Sequence, residues 1–238
     1  MIERDWIGDL EGWLQSSFVK ICKTVGQPVP FSGLRINPPL SLEESKYFLL
    51  GLEAGLFQAD EFGYVHGYLL PPVSEESCKQ TACRIFWHES LPPRLVRESV
   101  CQLSTASCLI LKRGWLVSHI EVEPGLKGEH DIVYGIDILV RSMTGRILAC
   151  VEVKRTPAEL QKLVTDLRAC CNRGPHEKDQ CGFPQNHPNY EFCASFKPAY
   201  FWAVTPGAEV CFRMTYDNGS IALEQLTSLP PRSMIELE

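Results

Sequence analysis

Apolar residues recur at helical spacing from residue 3 to 24, where Trp6, Leu10, Trp13, Leu14, Phe18 and Ile21 fall along one face. The Pro/Gly-rich stretch GQPVPFSGLRINPPL interrupts that pattern. Ser41-Leu42-Glu43-Glu44 then has the form of a capping box and predicts a second helix carrying Phe48, Leu49, Leu52 and Leu56. In FQADEFGYVHGYLL, the DEFG segment reads as a tight turn between short extended pieces. Helix, helix and hairpin make residues 1–92 a mostly helical region, compatible with a winged-helix module and equally with a helical cap. Pro92-Pro93 closes it.

From Arg94 to about Cys108, Leu95, Val96, Val100 and Leu103 predict another helix. GWLVSHIEVE, over 114–123, alternates like a strand. Two more strands are predicted over Ile136–Arg141 and Arg146–Val153, joined by the turn Ser142-Met143-Thr144-Gly145. Thr156-Pro157-Ala158-Glu159 is a second capping box with Pro at the first helical position, and its helix buries Leu160, Leu163, Val164 and Leu167. A long loop over 170–198 precedes strands at 200–205, 209–216 and 221–226, the last two turning around Asp217-Asn218-Gly219-Ser220. The order α-β-β-β-α-β-β-β makes residues 93–238 an α/β domain with a mixed sheet flanked by helices.

Composition narrows the class. An apolar share of 45% in 238 residues suffices for a core without staples. No apolar run approaches the roughly 18–20 residues that span a membrane. MIERDWIGDLEGW is acidic where a signal peptide is basic, so the expectation is a cytoplasmic protein with no membrane partner. Eleven scattered cysteines, an odd number, read as reduced thiols, some of them buried as small hydrophobes. The net charge of −6 argues against a simple cationic coat. Residues 1–92 hold 7 basic against 12 acidic residues and 93–238 hold 16 against 17, so an anionic partner is expected on the second part.

One hairpin carries charges where a core prefers Val or Ile. In GIDILVRSMTGRILACVEVKRT, Asp137 stands near the start of one strand, and Glu152 and Lys154 near the end of the next. Across the 142–145 turn Asp137 and Glu152 sit opposite each other, and Glu152 and Lys154, two apart, share a face. Two adjacent carboxylates resist ionising unless a cation lies between them. Mg²⁺ or Mn²⁺ supplies that cation and prefers oxygen ligands, with the Val153 carbonyl as a candidate third ligand. Lys154 would orient or help deprotonate the attacking water.

An Asp, a spacer, then Glu-x-Lys on the next strand, between helices, resembles the PD-(D/E)XK nuclease superfamily over roughly residues 94–205. Ile136 stands where the name-giving motif has Pro. Thr165, four after Gln161, leaves out the Gln-x-x-x-Tyr signature of some exonuclease branches. The resemblance implies a restriction-endonuclease-like core. It also implies a Mg²⁺-dependent hydrolase acting on DNA, in which Asp137 and Glu152 bind metal and Lys154 assists the water. Glu98, on the preceding helix, is the candidate for a further acidic residue seen in many members. The alternative is an inactive nuclease-fold protein serving as a nucleic-acid- or protein-binding module in a larger complex.

Arg155, Lys162 and Arg168 around the capped helix, with Lys112 and Arg113 before the first strand, are candidates for a phosphate-facing rim. Weak positive charge implies help from metal, a homodimer partner or a larger complex in holding DNA. CCNRGPHEKDQCGFPQNHPNYEFC offers thiolates and imidazoles enough for tetrahedral Zn²⁺, with Cys171, His176, Cys181, His187 and Cys193 as candidate ligands. Its spacing follows no recognised finger, and burial is the ordinary fate of Cys170 and Cys171 near a helix end. No Cys–His pair stands out as a nucleophile with its base.

Overall fold

A computed structural model describes residues 4–70, 83–88, 91–124, 126–127 and 133–235. The chain divides into two compact units, Met1–Ser118 and His119–Glu238. The boundary falls later than the 92/93 division expected from the sequence, because the helix after Pro93 packs with the N-terminal helices.

In the first unit, α1 (Trp6–Thr24) starts at Asp5, whose carboxylate accepts from the Gly8 amide, and buries Leu10, Leu14, Phe18, Ile21 and Cys22. In α2 (Leu42–Glu53) both capping-box bonds are made: Ser41 Oγ accepts from Glu44 N, and the Glu44 carboxylate accepts from Ser41 N. Two short ribbons follow, β1 (Gln58–Ala59) with β2 (Val65–His66) and β3 (Phe86–Trp87) with β4 (Arg94–Leu95). The DEFG turn is held by Asp60, whose Oδ1 accepts from Phe62 N and Tyr64 N, each at 2.9 Å. The third helix, α3, runs from Arg97 to Leu111, because Arg94 and Leu95 are extended in β4.

The α2–α3 contact is close because Gly51 leaves room for it. A Cβ at Gly51 would lie 2.1 Å from Ser107 Oγ and 2.7 Å from Phe57 Cε1. Gly51→Ala gains about 1 kcal/mol in helix propensity, yet overpacking costs about 1–3 kcal/mol. The variant is therefore expected to lower the first unit's thermal midpoint. An unchanged or raised midpoint would mean that α2 and α3 separate freely.

The second unit is built on a six-stranded mixed sheet. Its strands are β5 (Ile120–Val122), β8 (Ile138–Arg141), β9 (Ile147–Val153), β10 (Tyr200–Thr205), β11 (Ala208–Asp217) and β12 (Ser220–Leu226). The spatial order is β12-β11-β10-β9-β8-β5. All pairs are antiparallel except β9 with β10, which are parallel and joined by a crossover. That crossover holds α4 (Pro157–Arg173) and α5 (His187–Phe196); α4 lies on β10 and β12 and against α5. Thr156 and Glu159 form the second capping box as the sequence predicts. A separate ribbon pairs β6 (Leu126–Lys127) with β7 (Val133–Tyr134), and α6 (Arg232–Ile235) follows the sheet.

All seven residues of β9 are buried, as befits a strand between two neighbours. One core gathers Leu139 and Cys150 from the sheet, Leu160, Leu163 and Leu167 from α4, and Phe192 and Cys193 from α5. Two expectations are corrected. Only Ile120–Val122 of the 114–123 segment is strand; the Trp115 amide turns back to Leu109 O at 3.0 Å, and Val117–His119 forms a 3-10 turn. The long loop over 170–198 contains α5, which has Pro in its first turn, where a missing amide costs no helical bond. No helix among the described residues is long and apolar enough to cross a membrane.

Candidate functional site

The β8–β9 register pairs Ile138 with Val151 and Leu139 with Cys150. Continued by one step, it sets Asp137 opposite Glu152, a register produced by the irregularity between Val140 and Arg141, since the 142–145 turn alone would place Cys150 there. Asp137 lies just outside β8 and is fixed on both sides: its backbone carbonyl accepts from Glu123 N at 2.9 Å, and its Oδ2 accepts from Val153 N at 2.6 Å. The carboxylate thus continues the ladder where the backbone of β8 has stopped pairing.

Lys154 N donates to Val204 O on β10, which turns the Val153 peptide groups to the β8 side. The Val153 carbonyl therefore faces the edge where Asp137 stands. Lys154 Nζ donates to Glu152 Oε2 at 2.8 Å and lies 3.9 Å from Asp137 Oδ2. Asp137 is 9% exposed and Glu152 4%, while the Lys154 side chain keeps 21% of its surface in solvent. Two carboxylates buried at the C-terminal end of a central strand share one ammonium that reaches water.

Glu98 lies in the first turn of α3 and so belongs to the first unit. The basic candidates are engaged within the chain. Arg155 pairs with Glu159 one turn on, and Lys162 pairs with buried Asp166 at 2.6 Å. Arg168 donates to Gln225 and lies over the Phe212 ring. Lys112 pairs with Glu43 in the first unit, where Arg113 follows it at the end of α3. Such pairs leave less charge to spare for a phosphate backbone than the bare sequence suggests.

The ten described cysteines are unbridged, and all but Cys108 are buried. Of the zinc candidates, His176, Cys181 and His187 come together, and the fourth member is Cys170. Cys171 and Cys193 are not in the group: Cys193 faces Cys150 of β9 at 3.9 Å, inside the core. Adjacent residues on a helix point about 100° apart, so Cys170 and Cys171 cannot both face one ligand. Burial pushes the Cys171 thiol up to about 12 and Cys193 well above the usual range, which suits inert packing and not nucleophilic attack. Burial likewise pushes the Cys170 thiol up to about 12, whereas at Cys181 the upward pull of burial is outweighed by the Phe183 amide, His176 and Cys170, which hold that thiol below its usual range.

Sequence reasoning did not single out Glu123, whose amide holds the Asp137 carbonyl and whose backbone is left-handed, with φ 48°. It missed Asp166 as well, which collects Lys162 and, at 2.6 Å, the Asn186 amide. Glu123 has no sequence signal, since it acts through a partner 14 positions away; Asp166 had one in its i,i+4 spacing from Lys162, while Asn186 lies too far along the chain to be read. Against known proteins, the chain matches no family model and no curated sequence.

Proposed function

We propose that this chain is a divalent-metal-dependent nuclease that hydrolyses phosphodiester bonds in DNA, with Asp137, Glu152 and Lys154 at its centre. The observation that carries the reading is the shared ammonium: two buried carboxylates, one at the mouth of β8 and one on β9, with Lys154 Nζ at 2.8 and 3.9 Å. The order along the chain of α3, β5, β8, β9, a helical crossover and β10, with β10 parallel to β9, supports the reading, since the PD-(D/E)XK core runs in that order.

The donors suit a hard cation. Carboxylate oxygens from Asp137 and Glu152, with the Val153 carbonyl on the same edge, are the ligands Mg²⁺ or Mn²⁺ prefers. When bound, such a cation would stabilise charge on the phosphoryl oxygens and make a water more acidic. The protein's own part is positional. Val153 N–H fixes Asp137 Oδ2 and so orients the carboxylate before a ligand arrives. Lys154, with Nζ beside Glu152 Oε2 and one-fifth of its side chain in solvent, can reach toward a phosphate or an attacking water.

The test incubates the full chain with supercoiled plasmid, linear duplex and single-stranded DNA, with Mg²⁺, Mn²⁺ or EDTA. Cutting that requires metal, and that Asp137→Ala and Lys154→Ala abolish, is expected. DNA bound without being cut, under any metal, would replace the enzyme with a binding module. Variants that cut like wild type would move the centre elsewhere.

A further inference from the structure

A second set of ligands converges where α4 ends and α5 begins. Cys170, His176, Cys181 and His187 each bring one ligand atom within 4.8 Å of all the others. Their spacing is Cys-x5-His-x4-Cys-x5-His. Cys170 Sγ and Cys181 Sγ are 3.4 Å apart. A tetrahedron with zinc–sulfur distances of about 2.3 Å has an edge of about 3.8 Å, so a few tenths of an ångström separate the two.

The imidazoles are turned the right way. His176 Nδ1 donates to Gly174 O at 2.7 Å, which fixes the ring and its tautomer and leaves Nε2 to face inward. Tyr190 stacks on that ring, with centroids 4.8 Å apart, and its hydroxyl donates to the same carbonyl at 3.1 Å. His176 Nε2 and His187 Nδ1 are both buried with no hydrogen-bond partner among the described residues. Two buried nitrogens without a hydrogen-bond partner are costly. Cys181 Sγ accepts from Phe183 N at 3.3 Å, a bond that favours a thiolate.

The connection itself needs a fastening. Between Gly174 and Asn186 the one buried residue is Cys181, so apolar burial does little to hold these thirteen residues in place. A metal bound by residues from α4, the turn and α5 would do that directly.

We infer that Cys170, His176, Cys181 and His187 form a closed structural site for one Zn²⁺ ion. Two thiolates and two imidazoles at tetrahedral separations select zinc over the oxygen-loving cations. Four protein ligands leave no open position, so the ion ties the β9–β10 crossover and takes no part in chemistry. The site rests on none of the residues assigned to the nuclease centre and stands or falls without it.

The experiment measures metal in the full chain purified under reducing conditions. Elemental analysis is expected to find about one zinc per chain. Co²⁺ exchanged into the site should give the visible bands of tetrahedral coordination together with a sulfur-to-cobalt charge-transfer band. Cys181→Ser and His187→Ala should weaken zinc binding by more than the about 10–100-fold that outer-shell changes cost. Cys171→Ser and Cys193→Ser, which remove neighbouring thiols, should keep it. Should the ligand variants fail to fold, competition of wild type against a zinc chelator, with the cobalt spectrum, decides alone. Wild type that retains no zinc and gives no tetrahedral cobalt spectrum overturns the inference. So does a site that survives loss of Cys181 and is lost with Cys171 or Cys193.

Discussion

Lys154→Met is expected to slow metal-dependent cleavage by about 10²–10⁴-fold, the usual contribution of a positioned proton-transfer group. In chelator it should also cost about 3 kcal/mol of stability, toward the lower end for breaking a buried ion pair, because one-fifth of the side chain is solvated. The reason is local. The ammonium at 2.8 Å from Glu152 Oε2 and 3.9 Å from Asp137 Oδ2 is the charge both carboxylates share, and the neutral thioether returns them to mutual repulsion. Mg²⁺ or Mn²⁺ should then restore most of the lost stability without restoring cleavage. Thermal melts with EDTA and with metal separate the two effects. A variant whose melting point ignores metal would show that the carboxylate pair does not hold a cation. Asp137→Asn placed on Lys154→Met should recover stability in chelator, since one of the two like charges is gone.

Arg97→Ala is expected to cost the first unit about 3–5 kcal/mol, the range found when one partner of a buried pair is removed. Arg97 and Glu44 are almost wholly buried, and the guanidinium grips the carboxylate with both terminal nitrogens, Nη2 to Oε2 at 2.6 Å. The same guanidinium donates to Pro38 O at 3.0 Å and Pro39 O at 3.2 Å, so it fastens the segment before α2 as well as α2 itself. Truncation strands a buried carboxylate and two carbonyls. Replacing both partners, Arg97→Met with Glu44→Leu, should return part of the loss; full recovery would mean the proline carbonyls find water instead. Denaturant unfolding of the single and double variants reads both numbers. A single variant within about 0.5 kcal/mol of wild type, as for an ordinary surface change, would contradict the assignment.

That pair marks where sequence reading stops. Glu44 was legible as the closing residue of a capping box, three after Ser41, and it does accept from Ser41 N; nothing in the local pattern announced that its carboxylate also meets a guanidinium 53 positions away. The hairpin of β8 and β9 was legible from its strand period and its turn, but the shift between Val140 and Arg141 that brings Asp137 opposite Glu152 has no signal in the local pattern. The strand expected over 114–123 shrank to three residues because period-two alternation is blind to a glycine with φ 74° that lets the chain double back onto α3. The helix at 187–196 was hidden by prolines and polar residues that read as loop, although Pro in a first turn is harmless. Choosing Cys170 over Cys171 required the rotation of α4 about its axis, which adjacent identical residues do not reveal.

The parallel pairing of β9 with β10 also sets an order of events in folding. Asp137 and Glu152 are joined by a hairpin closed through a four-residue turn, the kind of unit that forms in about 1–10 μs. Val204, which accepts from the Lys154 amide, arrives only after the chain has closed a loop of about 50 residues through α4 and α5. The electrostatic penalty of the two carboxylates is thus met early, on a solvated ribbon where water and salt screen it. Burial comes later, when the crossover docks and the charges are already in register with their lysine.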